Sequence, residues 1–175
     1  IATVNVEGEV YTTNPYNPST VENLVNLRVQ KSGNNYYTDN FGNVTIPGTG
    51  NAIFNLDGLF TEVQTNNNIP AFSSQLSNTN VAFDNSNSTI QERTAFWAVN
   101  QIHDHLKSVF PTFTGLDYAI ETNIDVQGSC NAYYDGTINF YAEGNGCNAT
   151  AKIPDVVYHE YGHGINNYRY GSGMW

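Results

Sequence analysis

From Val4 to about Gln64, short apolar stretches alternate with polar residues and are interrupted every few positions by turn formers. A period of two marks strands with one buried face. It predicts strands at Val4 to Tyr11, Leu24 to Gln30, Val44 to Ile46, Ile53 to Leu56 and Leu59 to Gln64. Pro15, Pro18, Gly33-Asn34-Asn35, Asp39-Asn40-Phe41-Gly42 and Pro47-Gly48 supply the corners, because Gly and Asn accept positive φ and Pro presets the first corner of a turn. Residues 1–65 therefore read as a β-rich, sandwich-like unit. Residues 66–88 are dense in Asn and Ser with few periodic apolar positions, and read as an irregular loop or linker.

The period then lengthens. Apolar residues at Phe96, Val99, Ile102, Leu106 and Val109 predict a helix, with Ser88 or Thr89 as cap and Gln91 or Glu92 completing a capping box. It should end before Pro111. Strands are expected at Tyr118 to Ile124, Asn131 to Tyr134 and Thr137 to Tyr141, the last two joined by an Asp135-Gly136 turn. A final helix starts near Pro154, whose missing N–H has no helical partner at a first position anyway. The expected fold class is α+β, with residues 89–175 forming a second unit that combines sheet and helices.

Composition narrows the partners. Six Lys and Arg against 16 Asp and Glu give a net charge of −10, the opposite of the basic footprint that phosphate backbones require, so nucleic acid is not expected as a partner. No apolar run approaches a membrane span, so no membrane partner is expected either. Few cationic residues with abundant Asn, Thr, Ser, Gly and Tyr suit a secreted protein. Cys130 and Cys147 enclose a hairpin turn signal, so a disulfide between them is expected; closing that loop constrains the unfolded chain by roughly 3 kcal/mol in an oxidising compartment. The start Ile1-Ala2-Thr3-Val4 lacks the parts of a signal peptide and the one methionine is Met174, so the sequence reads as a processed or trimmed piece of something longer.

The chemistry concentrates in His159-Glu160-Tyr161-Gly162-His163. On a helix, residues four apart share a face, so both imidazoles can reach one metal with Glu160 at its edge. Neutral imidazole suits Zn2+, and a carboxylate beside such an ion can take the proton of a water attacking a polarised carbonyl. The expected reaction is amide hydrolysis, with His159 and His163 as metal ligands and Glu160 as general base. Val156, Val157 and Ile165 give this helix an apolar side. Gly162, costly by about 1 kcal/mol in a helix interior, hints at close approach of another element. A third ligand on the same run would need Gly and His where Asn166 and Arg169 stand, so it must come from elsewhere. His103 and His105, two apart on the earlier helix, point in different directions and form a poor chelating pair; partly buried helix histidine is the simpler reading.

Asn131-Ala132-Tyr133-Tyr134, Ile138-Asn139-Phe140-Tyr141 and the run from Asp155 to Asn167 resemble the catalytic core of fungalysin-type and related thermolysin-clan metallopeptidases. The helix containing Phe96-Trp97-Ala98-Val99-Asn100-Gln101-Ile102-His103-Asp104 resembles theirs too. The similarity is good over roughly Gln91 to Tyr170 and loose over the β region. It implies one catalytic zinc on His159 and His163, Glu160 as base, and an edge strand at Asn131, Ala132 and Tyr133 that pairs with extended peptide substrates. In calcium-binding relatives an acid aligned with Asp155 contributes to a Ca2+ site, although an acid favoured by the helix dipole is the simpler reading. The family's third ligand and its transition-state stabilisers lie downstream. The resemblance therefore implies that residues 89–175 are the N-terminal half of a catalytic domain, partnered by a C-terminal helical subdomain, and that this chain alone is inactive or nearly so. The competing reading is a non-catalytic β-sandwich binding or adhesion module attached to a degenerate protease remnant.

Overall fold

A computed structural model describes residues 1–171; positions 172–175, including Met174 and Trp175, lie outside the described residues. The chain opens with β1 (Ala2–Val10), β2 (Thr20–Asn23), β3 (Leu27–Lys31), β4 (Asn34–Tyr37), β5 (Asn43–Ile46), β6 (Asn51–Gly58) and β7 (Thr61–Thr65). Two short strands, β8 (Ala71–Gln75) and β9 (Asn80–Phe83), precede helix α1 (Ile90–Val109). Then come β10 (Ile120–Val126), β11 (Ala132–Tyr134), β12 (Ile138–Tyr141), a 3-10 turn over Thr150–Lys152 and helix α2 (Pro154–Tyr170). The class is α+β, as the periodicity predicts. Among the described residues no helix is long and apolar enough to cross a membrane.

The expected division at residues 65 to 89 is not how the strands pair. One sheet runs β11-β12-β10-β7-β6-β3-β4, with β8 also on β6, so the early strands and the late ones share one ladder. Strand β7 pairs in parallel with β10 from Thr61↔Ile120 to Thr65↔Ile124, and α1 lies in the crossover between them. Parallel neighbours require such a crossover, and a helix is its usual form. A smaller sheet gathers β2, β5 and β9 around β1. Leu24, Phe54, Leu56, Val63, Phe96, Val99, Ile120, Phe140, Val157 and Tyr161 belong to a single buried cluster drawn from both halves. Each such side chain contributes roughly 1.5–3 kcal/mol by leaving water.

The stretch expected to be a linker contributes β8 and β9 instead. Their patterns hide them: β8 lies largely exposed against β6, and β9 buries just Val81 and Phe83, so neither shows a sustained apolar alternation. Strand β3 begins three residues later than predicted, because Asn26 takes φ 58°. The turn read at Gly33-Asn34-Asn35 is centred one residue earlier, on Ser32-Gly33. Both residues have positive φ, which suits a two-residue hairpin, and Asn34 and Asn35 belong to β4.

Helix α1 starts as its sequence predicts. The Thr89 hydroxyl accepts the Glu92 N–H at 3.3 Å, and the Glu92 carboxylate accepts the Thr89 N–H at 2.7 Å. One turn in, the fully buried Arg93 reaches out of the helix. Its Nε donates to the Glu9 carbonyl (2.8 Å), Nη1 to the Ser88 carbonyl (3.2 Å) and hydroxyl (3.0 Å), and Nη2 to Asn85 Oδ1 (3.0 Å). A single side chain thus ties β1 and the loop before α1 to the helix. Burial lowers its pKa, although Glu9, Asp84 and Glu92 favour the charged form.

Candidate active site

Helix α2 follows directly on the Thr150–Lys152 turn, with Pro154 at its first position as expected. Val157 and Tyr161 are buried on its inner side, one turn apart and packed in the core with α1 residues. The other side faces a cleft of about 520 Å3 lined by His159, Glu160, His163, Val156 and strand β11. The close approach inferred at Gly162 occurs at Gly164. A Cβ at Gly162 would meet nothing within 4 Å among the described residues, whereas one at Gly164 would lie 3.4 Å from the Tyr134 ring and 3.5 Å from Leu116.

The two motif histidines converge. Their Nε2 atoms lie 3.1 Å apart, with the rings perpendicular and their centroids 4.7 Å apart. Two nitrogens bound at about 2.0–2.1 Å to one tetrahedral ion would sit about 3.3 Å apart. The pair is therefore already at the spacing of shared ligands. Glu160, between them in sequence, is 5% exposed. Burial raises its carboxyl above the ordinary range, while the neighbouring imidazoles pull it back. Among the described residues no cluster of three or more His, Cys, Asp or Glu side chains gathers. Asp155 is exposed in the first turn of α2, where the helix dipole favours an acid.

The opposite wall is β11, which pairs antiparallel with β12 at Ala132↔Phe140, Tyr133↔Asn139 and Tyr134↔Ile138. The Tyr141 N–H donates to the Asn131 carbonyl, and Asn139 Nδ2 donates to the Tyr133 carbonyl. Backbone groups alternate sides along a strand, so residues 131 and 133 face β12 while the N–H and C=O of Ala132 face the cleft. This sorts the residues read as substrate contacts. Ala132 offers backbone groups, and Asn131 offers its exposed side chain. The ring of Tyr133 packs edge-on to Tyr141, at 5.9 Å between centroids. The Cys130–Cys147 disulfide is formed and borders the same cleft.

His103 and His105 lie away from this cleft. His105 is exposed; His103 is buried, stacked on Phe60 at 3.4 Å between centroids, with Nε2 2.9 Å from Asp117. Lys107 Nζ donates to the other Asp117 oxygen (2.8 Å) and to the Phe113 carbonyl (2.6 Å). This polar node ties the loop after α1 back to the helix, and sequence reasoning missed it because its members are scattered over 15 positions. The Lys107 ammonium, then His103, hold the Asp117 carboxyl below the usual carboxylate range. A depressed carboxyl stabilises the fold above its unfolded value near 3.9 and loses that contribution as pH falls through the folded value. Asp117→Asn is therefore expected to lower the melting temperature modestly at pH 7 and not at about pH 2, a difference that thermal melts across that range would show.

Two helix imidazoles focused on one point, a buried carboxylate beside them and, across the cleft, the end strand of the described sheet form the arrangement of a metallopeptidase. Residues 16–167 match the thermolysin metallopeptidase catalytic domain, and the chain belongs to that family. The match begins after β1 and ahead of β2, and takes in β2 to β7, strands read as part of a separate unit. A search of curated proteins found no match.

Proposed function

We propose that the protein is a secreted, zinc-dependent endopeptidase, and that residues 1–171 supply two metal ligands, the general base and one wall of the substrate cleft. The observation that carries this reading is the 3.1 Å approach of His159 and His163 Nε2 beside the buried Glu160. Imidazole nitrogen is a preferred zinc donor. When bound, zinc supplies a polarised water and positive charge for the carbonyl oxygen. Glu160 takes the proton of the attacking water on a carboxylate oxygen, for which its place between the two histidines on the cleft wall suits it. Ala132 holds an extended peptide by adding it as a strand at the open edge of β11. The disulfide supports an oxidising destination, hence secretion. The fungalysin-like character of the motifs is part of the same proposal.

Elemental analysis after dialysis tests the site. The parent protein should hold close to one zinc, while His159→Ala and His163→Ala should each retain less than about a tenth of it, because a single imidazole cannot replace a chelating pair. Equal zinc in parent and variants would remove the assignment.

A further inference from the structure

Strand β11 is a poor platform on its own. It is three residues long and, among the described residues, has β12 as its one sheet neighbour, so the backbone N–H and C=O of Ala132 on its other side pair with no strand of the described sheet. Short edge strands fray, yet strand addition requires Ala132 to hold its N–H and C=O at a fixed height above α2. The far end of β11 is held by its turn, where Asp135 accepts from Thr137 and Asn139. The near end, next to the histidines' cleft, is held differently.

Asn131 immediately precedes β11, and its carbonyl accepts both the Tyr141 N–H (3.2 Å) and the hydroxyl of Thr150 (3.0 Å). Thr150 is buried and begins the 3-10 turn that runs into Pro154, the first residue of α2. One residue before Asn131 stands Cys130, in a left-handed conformation at φ 60°; its disulfide partner Cys147 stands three residues before Thr150. The disulfide and the Thr150 hydroxyl therefore close a small ring between the substrate strand and the start of the catalytic helix. One corner is covalent and the other is a hydrogen bond.

The geometry points to Thr150 and the Cys130–Cys147 disulfide as positioning residues that lock the substrate strand to the metal-binding helix, and so set substrate affinity without touching the metal. This rests on the reading of β11 as the peptide-binding edge. A purely structural role would lower global stability and leave peptide affinity alone. A positioning role would loosen β11 selectively, because α2 has its own core contacts through Val157 and Tyr161.

The test uses the zinc-loaded Glu160→Gln protein, so that peptide is bound and not cleaved, with a fluorescein-labelled hexapeptide of alternating alanine and leucine as probe. Thr150→Val keeps the shape and removes the hydroxyl; Thr150→Ser restores it; Cys130→Ser with Cys147→Ser opens the other corner. Thr150→Val and the double serine variant are each expected to weaken peptide binding about fivefold and to speed amide exchange at Tyr133 and Tyr141 about tenfold. Zinc content should not change, and Thr150→Ser should bind like the parent. Unchanged affinity and exchange in both variants would overturn the clasp while leaving the peptidase reading intact. No binding by the Glu160→Gln parent would overturn the substrate-strand reading, and the role of Thr150 with it. If Thr150→Val does not fold, the double serine variant decides.

Discussion

Glu160→Gln should reduce peptide hydrolysis by about 10²–10⁴-fold while leaving zinc content unchanged. The amide has almost the shape of the carboxylate and no basic oxygen, so water can still be held but its proton has nowhere to go. Glu160 sits within a cleft whose burial raises its proton affinity, between two imidazoles that draw it down, and glutamine removes that balance without disturbing the histidines 3.1 Å apart. Steady-state hydrolysis of casein by the zinc-loaded protein carrying its proposed C-terminal helical subdomain, alongside elemental analysis, reads both quantities. Near-parental turnover with normal zinc would mean that another group takes the proton. Loss of zinc together with turnover would mean that Glu160 organises the ligands instead.

The second large effect is on stability, far from the cleft. Arg93→Ala should cost about 3 kcal/mol or more, because it empties the space of a fully buried side chain and leaves the Glu9 and Ser88 carbonyls without that donor. For a chain of this size that is a fall of about 10 °C in melting temperature. Arg93→Met separates the two contributions, since it keeps most of the stem that packs against Gly8 and removes the donors. A methionine variant as stable as the parent would show that the guanidinium bonds only compensate for its desolvation. Chemical denaturation with circular dichroism measures the difference.

The two helices and the convergence of the two α2 histidines were legible in the sequence because they are local. A capping box at Thr89 and Glu92, a proline at a first helical position and two histidines four apart each declare themselves within a few residues. The Cys130–Cys147 pair and the Asp135-Gly136 turn were legible for the same reason. The pairing of strands was not. Nothing within residues 61–65 signals that Thr61 will bond through its hydroxyl to Thr122, or that Gln64 will donate to Asn123. Those partnerships depend on where α1 places the returning chain. Arg93 shows the same limit: a charged residue one turn into a helix normally faces water, and its burial follows from Gly8 leaving room on a strand more than 80 positions away. Thr150 lies in a loop, where no periodicity marks a hydroxyl as structural.

The parallel ladder between β7 and β10 also bears on how the molecule is made. Its partners, such as Gln64 and Asn123, are 59 positions apart, so the chain must close a long loop before any of that ladder is gained. Strand β12 then pairs with β10, and β11 with β12, each waiting on the one before. The cleft is thus expected to be the last part of this sheet to assemble, with the rate of its appearance set by loop closure. Every strand of that ladder precedes α2 in the chain and leaves the ribosome before it, so a growing chain completes its cleft only when the motif helix, made last, meets a sheet that has already closed.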